Sequence, residues 1–383
     1  MKNIFLFFTL FLSIASFSQA KGGYTLVDAK ISKIPNNITT STDSIAHYIN
    51  ANFITENDKI RAVFYWTASN IKYDIENMFA INFNETSEKK IKKSLETRKG
   101  VCINYAEIFN DIANKVGIKT VVIEGYTKQN GIADYASHAW CGSKIDNKWY
   151  VFDPTWGSGS VSNSKFVKKI NDYYFKTDPG KLISSHIPFD YLWQFLNYPI
   201  TNQEFYEGKT QINKTKKYFD FDGEISKYYA LSEIDKLIGS AERIEKNGVK
   251  NSMIFDRLSY KKSEIEYYRI NQIVNLYNEG ISELNEYINF RNKQFKPNVS
   301  DEELAKMIHD PKAKLLRSQE LLNNLGQVDK SNLSNINSIK NGLIDTIKQS
   351  EEQEIFVTKY LSKSKMARKS MFTKVTWFGI PLN

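Results

Sequence analysis

Residues 98–117 read RKGVCINYAEIFNDIANKVG, and this stretch organises the first half of the chain. Its apolar residues recur at steps of three and four, which predicts a helix that begins at Cys102 and ends at Gly117. A thiol at a helix start faces unpaired backbone N–H groups and the positive end of the helix dipole, and both stabilise a thiolate. The same N–H groups could hold an oxyanion. Cys102 is therefore a candidate nucleophile.

Three strands are predicted downstream of this helix. Residues 120–126 are rich in β-branched side chains, and residues 136–145 and 148–152 flank Asp146-Asn147, a hairpin turn signal. A helix followed by a run of strands indicates an α+β domain. Elsewhere in this half, residues 24–27 are predicted to be extended, residues 60–71 helical, and residues 84–99 an exposed connection.

The predicted hairpin register brings an imidazole close to a carboxylate. A two-residue turn pairs position 145 with 148, so Asp153 lies diagonally across from His138 on the same face of the sheet. A thiol, an imidazole and a carboxylate together are the components of nucleophilic acyl transfer.

The sequence context of these residues resembles the core of the transglutaminase-like superfamily, whose fold is related to that of papain-like cysteine peptidases. The matching segments are RKGVCINYA at 98–106, HAW at 138–140 and WYVFDPTW at 149–156, with AVFYW at 62–66 and NIKYD at 70–74 upstream. Downstream, SHIP at 185–188 with Trp193-Gln194 is similar to the branch that contains the kyphoscoliosis peptidase and fungal cytokinesis proteins. The resemblance covers roughly residues 50–200.

The resemblance implies a role for each matching position. Cys102 would be the nucleophile, His138 the general base and acid, and Asp153 the residue that orients His138. A helper that completes the oxyanion hole is not identifiable. For His186 both a structural hydrogen-bonding role and a catalytic role stay open. The remaining candidates are expected to line or support the site: Trp66, Tyr105, Trp140, Trp156 and His186.

The second cysteine, Cys141, is expected to stay apart from the first. It follows His138 by three positions, and an odd offset on a strand points to the opposite face. This disfavours both a Cys102–Cys141 disulfide and a zinc site formed with His138. CxxC, HExxH, P-loop, GxGxxG and EF-hand patterns are absent from the sequence, so no metal or other cofactor is expected.

The chain of 383 residues is predicted to contain four regions. Residues 1–20 predict a cleaved signal peptide, because Lys2 precedes an apolar run too short to span a membrane, and small residues follow at 18 and 20. Residues 21–210 would form the transglutaminase-like catalytic domain, residues 211–372 an α-helical bundle, and residues 373–383 an apolar tail. The protein is expected to be secreted or periplasmic, with no membrane segment in the mature chain.

Two functions compete. The first is a secreted cysteine enzyme that attacks amide bonds in a protein or peptide substrate, either as a peptidase or amidase or as a transglutaminase with an amine acceptor. The second is a catalytically silent scaffold whose helical domain binds an envelope protein. The net charge of +9 is dispersed among polar residues, so nucleic acid is not an expected partner and polyanion binding is the weakest alternative.

Overall fold

The computed structural model describes residues 23–78, 85–326, 328–372, 376–377 and 380–381. The predicted signal peptide lies outside these residues, as does most of the predicted tail. The described residues divide into two compact units, one formed by those up to 230 with 242–257 and the other by residues 231–241 with those from 258 onward. The first unit thus extends past residue 210, where the sequence suggested a boundary.

The first unit is a mixed α/β structure, as predicted. Its elements up to the central helix are α1 (Thr25–Ile31), α2 (Thr42–Asn52), α3 (Glu56–Asn70), β1 (Lys72–Tyr73), α4 (Ser87–Thr97), β2 (Lys99–Gly100) and α5 (Cys102–Lys115). The remaining elements before the helical region are β3 (Thr120–Gln129), β4 (Ile132–Ile145), β5 (Lys148–Phe152), β6 (Gly159–Ser162), β7 (Lys165–Lys168), α6 (Pro179–Leu182), β8 (His186–Pro188), α7 (Asn202–Tyr206) and α8 (Phe221–Ala230).

Two segments differ from the sequence-based expectation. The predicted extended lead at 24–27 is part of helix α1, because Val27 and Ile31 share one helical face and bury it. The predicted connection at 84–99 contains helix α4, which begins where the Thr86 hydroxyl accepts a hydrogen bond from the Lys89 N–H. In α4, the surface lysines that suggested a loop surround a small buried face at Ser94 and Leu95.

An antiparallel sheet with the strand order β5-β4-β3-β8 lies against α5. Helices α2 and α3 also pack on α5, so that the central helix is enclosed on several sides. The core of this unit includes Ile60, Phe64, Ile108, Phe109 and Phe152, all fully buried. Enclosure fixes the position of α5, and therefore of the cysteine at its first residue.

The second unit is helical, which confirms the predicted helical region. Its principal helices are α9 (Glu233–Lys246), α10 (Ser252–Asn292), α11 (Asp301–Asn323), α12 (Leu333–Leu361) and α13 (Lys365–Arg368), and α9 and α10 contribute residues to both units. Its core joins apolar residues of α10, α11 and α12, including Ile273, Leu284, Ile308 and Leu343. Within the described part of the chain, no helix combines the length with the apolar character that crossing a bilayer requires.

Candidate active site

Cys102 is the first residue of α5, as the sequence predicted. The turn before the helix is fixed by Asn104, whose Oδ1 accepts a hydrogen bond from the Val101 N–H at 2.9 Å. Gly100 is required here because a Cβ at this position would overlap the Asn104 side chain. Cys102 is 7% exposed, and it lies near enough to the His138 ring to affect that ring's pKa. The nucleophile candidate and the base candidate are therefore neighbours.

The β4–β5 hairpin positions His138 and Asp153 as predicted. Ile145 pairs with Lys148 and Cys141 with Phe152, which is the register of a two-residue turn. Both turn residues, Asp146 and Asn147, have positive φ, the geometry that such hairpins favour. Strand β5 ends at Phe152, and the next residue, Asp153, turns its carboxylate toward the imidazole.

His138 donates from Nε2 to Asp153 Oδ2 at 2.8 Å. Because this nitrogen is occupied, Nδ1 is the ring atom left for Cys102. Burial lowers the pKa of His138, but the charge and hydrogen bond of Asp153 outweigh it, with a smaller contribution from Cys102, and the net effect raises this pKa from 6.5 to about 10. The ring is thus an imidazolium at neutral pH, and a positive charge beside a thiol stabilises the thiolate.

Asp153 is completely buried and accepts four hydrogen bonds. Oδ1 accepts from the backbone N–H groups of Thr155 at 2.8 Å and Trp156 at 3.0 Å. Oδ2 accepts from His138 and, at 3.1 Å, from Nε2 of His186. Burial raises the pKa of the carboxyl, but the charge of His138 and the hydrogen bonds from both histidines outweigh it, so the net pKa is lowered. Asp153 is therefore a carboxylate held in one orientation.

His186, whose role the sequence left open, lies within this cluster. It is the first residue of β8, it is 2% exposed, and its second nitrogen, Nδ1, hydrogen-bonds to the Ser185 hydroxyl at 2.8 Å. Burial lowers the pKa of His186 more than the neighbouring Asp153 raises it. His186 is consequently neutral, unlike His138.

Two tryptophans surround the pair of imidazoles. The Trp156 ring lies 5.6 Å from the His138 ring and 4.6 Å from the His186 ring, and the Trp140 ring lies 6.0 Å and 5.2 Å from them. Both residues thus line the cluster. Trp66 and Tyr105 support the site from the core instead: Trp66 is 1% exposed, and the Tyr105 hydroxyl donates to the Ile71 carbonyl at 2.7 Å.

Sequence reasoning missed two tyrosines near the site. Tyr73 pairs with Gly100 between β1 and β2; burial, followed by the charges of Cys102 and Asp153, raises its pKa to about 12. Tyr174 contacts Trp156 with a ring distance of 5.5 Å. Tyr73 falls in the NIKYD segment, so a signal for it was available, but nothing in the spacing linked it to the cysteine.

Cys141 and Cys102 are both free thiols, as expected. Cys141 is buried on the face of β4 that packs on α5, where its sulfur donates to the Ala106 carbonyl at 3.2 Å. Burial raises the pKa of this thiol well above its usual value. It neither pairs with Cys102 nor joins His138.

Among the residues that the structure describes, one group of side chains could hold a metal ion. The nearest ligand atoms of His138, Asp153 and His186 all lie within 4.8 Å of one another. Their nitrogen–oxygen separations of 2.8 and 3.1 Å are hydrogen-bond lengths. Ligands about 2.0–2.1 Å from a tetrahedral zinc would be further apart, at about 3.3 Å. Hydrogen bonds account for this geometry directly.

Comparison with known proteins agrees with the fold. Residues 43–154 match the family model of the Transglutaminase-like superfamily, and this segment includes the cysteine, the histidine and the aspartate just described. The chain carries a transglutaminase-like domain. The predicted resemblance is thereby confirmed for this part of the sequence.

Three animal proteins are similar to the same region. Kyphoscoliosis peptidase of Mus musculus is 32% identical over 156 residues, and that of Homo sapiens is 31% identical over 159 residues. Hillarin of Drosophila melanogaster is 26% identical over 173 residues. Each match covers 39% of this chain. The chain spans about a quarter of the length of the two peptidases, 23% and 24%, and 20% of Hillarin.

Proposed function

We propose that the protein is a cysteine enzyme that transfers acyl groups from amide bonds of a protein or peptide substrate. The observation that carries this proposal is that Cys102, at the start of α5, lies near His138, whose Nε2 binds the buried carboxylate of Asp153. The transglutaminase-like domain and the similarity to proteins named peptidases support it.

The chemistry would proceed in two stages. The Cys102 thiolate attacks the amide carbonyl, a C–S bond forms, and the C–N bond breaks as His138 gives its proton to the departing nitrogen. The product is a thioester on Cys102 and a free amine. In the second stage His138 takes a proton from the incoming nucleophile, which attacks the thioester and releases the thiolate.

The start of α5 offers donors for the oxyanion. The N–H groups of Asn104 and Tyr105 already bond to the Val101 carbonyl at 2.9 and 3.2 Å. The N–H groups of Cys102 and Ile103 precede them in the first turn, where a helix supplies no internal acceptor. We propose that these two N–H groups donate hydrogen bonds to the substrate oxygen and stabilise the negative charge that develops on it.

The second nucleophile decides the reaction. Water would make the protein a peptidase or amidase, and a lysine amine would make it a transglutaminase. Incubating the protein with a peptide library and a labelled primary amine separates these outcomes by product mass: hydrolysis adds water, and transamidation adds the amine with loss of ammonia. Cys102→Ala is expected to form neither product, and Cys141→Ala serves as the matched cysteine control that keeps activity.

A second function is favoured by one observation, the low exposure of the nucleophile. Cys102 is 7% and His138 9% exposed, which suits a silent scaffold that acts in the envelope by binding a partner. A thiol-reactive probe near pH 7 distinguishes the two. The enzyme requires Cys102 to be labelled much faster than Cys141, whereas equally slow labelling of both, with no product in either amide assay, would favour the scaffold.

We also propose that the protein works outside the cytoplasm after removal of residues 1–20, because these residues have the pattern of a signal peptide. Intact-mass measurement of the protein from the extracytoplasmic fraction is expected to give a chain that begins at Lys21. A full-length chain confined to the cytoplasm would contradict this.

A further inference from the structure

Two imidazoles share one oxygen of a single carboxylate. Asp153 Oδ2 lies 2.8 Å from Nε2 of His138 and 3.1 Å from Nε2 of His186, while Oδ1 is occupied by two backbone N–H groups. A carboxylate oxygen that accepts two hydrogen bonds divides its lone pairs between them. The presence of His186 therefore affects how strongly Asp153 can hydrogen-bond to His138.

The hydrogen bonds around His186 determine which nitrogen carries its proton. If Nδ1 carried it, Nε2 would present a lone pair to the carboxylate, and two acceptors would face each other inside the protein. If Nε2 carries it, Nε2 donates to Asp153, and Nδ1 accepts from the Ser185 hydroxyl at 2.8 Å, a shorter distance than the 3.3 Å from this hydroxyl to its other possible acceptor, the Leu182 carbonyl. The second arrangement satisfies all three groups, so His186 is a neutral donor with its proton on Nε2.

We infer that His186 is a positioning residue that holds Asp153 Oδ2 and limits how strongly this carboxylate binds the His138 ring. The N–H dipole of His186 directs its positive end at the oxygen that also accepts from His138. It fixes the carboxylate and at the same time withdraws part of its negative charge from the first imidazole. This inference rests on the proposed role of His138 in acyl transfer.

A glycine in β3 allows β8 to bring His186 next to Asp153. Strand β8 pairs with β3, and Gly125 of β3 lies between His138 on one side and Pro188 on the other. A Cβ on Gly125 would overlap the Ile187 carbonyl and the Trp140 ring. The absence of a side chain at Gly125 permits the close approach that brings His186 onto Asp153.

Histidine NMR tests the inference directly, because the chain has four histidines. We would titrate ring-labelled His138 in the wild type, His186→Leu and His186→Gln. Loss of the donor in His186→Leu is expected to move the His138 titration upward by about one pH unit, since Asp153 then acts on His138 alone. Glutamine can place an N–H donor where Nε2 lies, so His186→Gln is expected to titrate close to the wild type. His309→Leu is the matched control, because His309 also bonds a carboxylate, that of Glu354 at 3.0 Å, in the second unit.

The nitrogen shifts of His186 in the wild type give a second readout. They are expected to show a neutral ring protonated on Nε2. Ser185→Ala removes the partner of Nδ1, and it is expected to move His138 in the same direction as His186→Leu but by less. This variant decides the question if His186→Leu does not fold.

Two results would overturn the inference: a His186 ring protonated on Nδ1, or a His138 titration that is the same in every folded variant. Neither measurement depends on turnover. A protein that shows the expected titrations but cleaves and cross-links nothing would contradict the proposed function while leaving the role of His186 intact.

Discussion

Replacing Asp153 by asparagine removes the negative charge but keeps the shape of the side chain. The new amide has one acceptor oxygen, which takes the place of Oδ1 and accepts from the N–H groups of Thr155 and Trp156, 2.8 and 3.0 Å away in the wild type. Its NH₂ group would then face the two histidines, which in the wild type both donate to this position. Asp153→Asn therefore replaces two hydrogen bonds by donor–donor contacts.

The magnitude follows from the electrostatics of His138. Burial lowers the pKa of this ring, and Asp153 is the main group that raises it, together with Cys102, from 6.5 to about 10. The difference corresponds to about 5 kcal/mol, most of which Asp153 supplies. Without the carboxylate the buried ring is expected to be neutral at pH 7, and Cys102 loses the positive charge beside it.

The assay is the rate at which iodoacetamide alkylates Cys102 at pH 7, followed by mass spectrometry of the peptide that contains it. We expect Asp153→Asn to react at least about tenfold more slowly, the consequence of losing 1.4 kcal/mol or more of thiolate stabilisation. Asp190→Asn is the matched control: Asp190 is also buried and paired, but its partner is Arg243. A folded Asp153→Asn protein that reacts as fast as the wild type would refute the proposed ion pair.

Three further predictions concern stability and metal dependence. The pKa of His138 is raised on folding, so its contribution to stability is complete below pH 6.5 and is lost as the pH rises toward 10. Between pH 6 and pH 9, the free energy of unfolding measured in urea should therefore fall more in the wild type than in His138→Gln. An equal fall in both proteins would contradict this. Gly125→Ala should destabilise the first unit by about 1–3 kcal/mol in the same measurement, because the added Cβ overlaps the Ile187 carbonyl. A variant as stable as the wild type would show that β8 can shift to accept the Cβ without loss of stability. Since hydrogen bonds explain the His138 cluster, EDTA should leave alkylation of Cys102 unchanged, and a rate that responds to chelation and to added zinc would indicate a bound metal.

The parts of the site that local rules govern could be predicted from the sequence. A helix start preceded by a glycine and a two-residue hairpin turn can each be recognised from a few residues of sequence. Together they predicted the positions of Cys102, His138 and Asp153. The pairing of 145 with 148 was sufficient to bring the carboxylate to the correct side of the ring, because side-chain direction alternates strictly along a strand.

Features that depend on distant pairings could not be predicted in this way. His186 reaches Asp153 only because β8 adds to the far edge of β3, and Tyr73 lies beside Gly100, close to the cysteine in sequence, only because β1 pairs with β2. Neither pairing is closed by a tight turn whose residues would predict it from the sequence. Helix α4 was missed for a different reason: its buried face is limited to Ser94 and Leu95, too little to produce a periodic apolar pattern.

The two cysteines show how position, and not residue type, determines what a thiol can do. Cys141 lies in the middle of a strand and donates to a main-chain carbonyl, and burial, followed by the negative charges of Asp153 and Glu107, favours its protonated form. Cys102 is nearly as buried, but it lies at the positive end of α5 and against an imidazolium that Asp153 keeps charged. Burial strengthens the effect of that charge on the groups around it, because water does not screen it. The two thiols are therefore distinguished by the charges beside them and by their place on a helix or a strand, and not by their exposure.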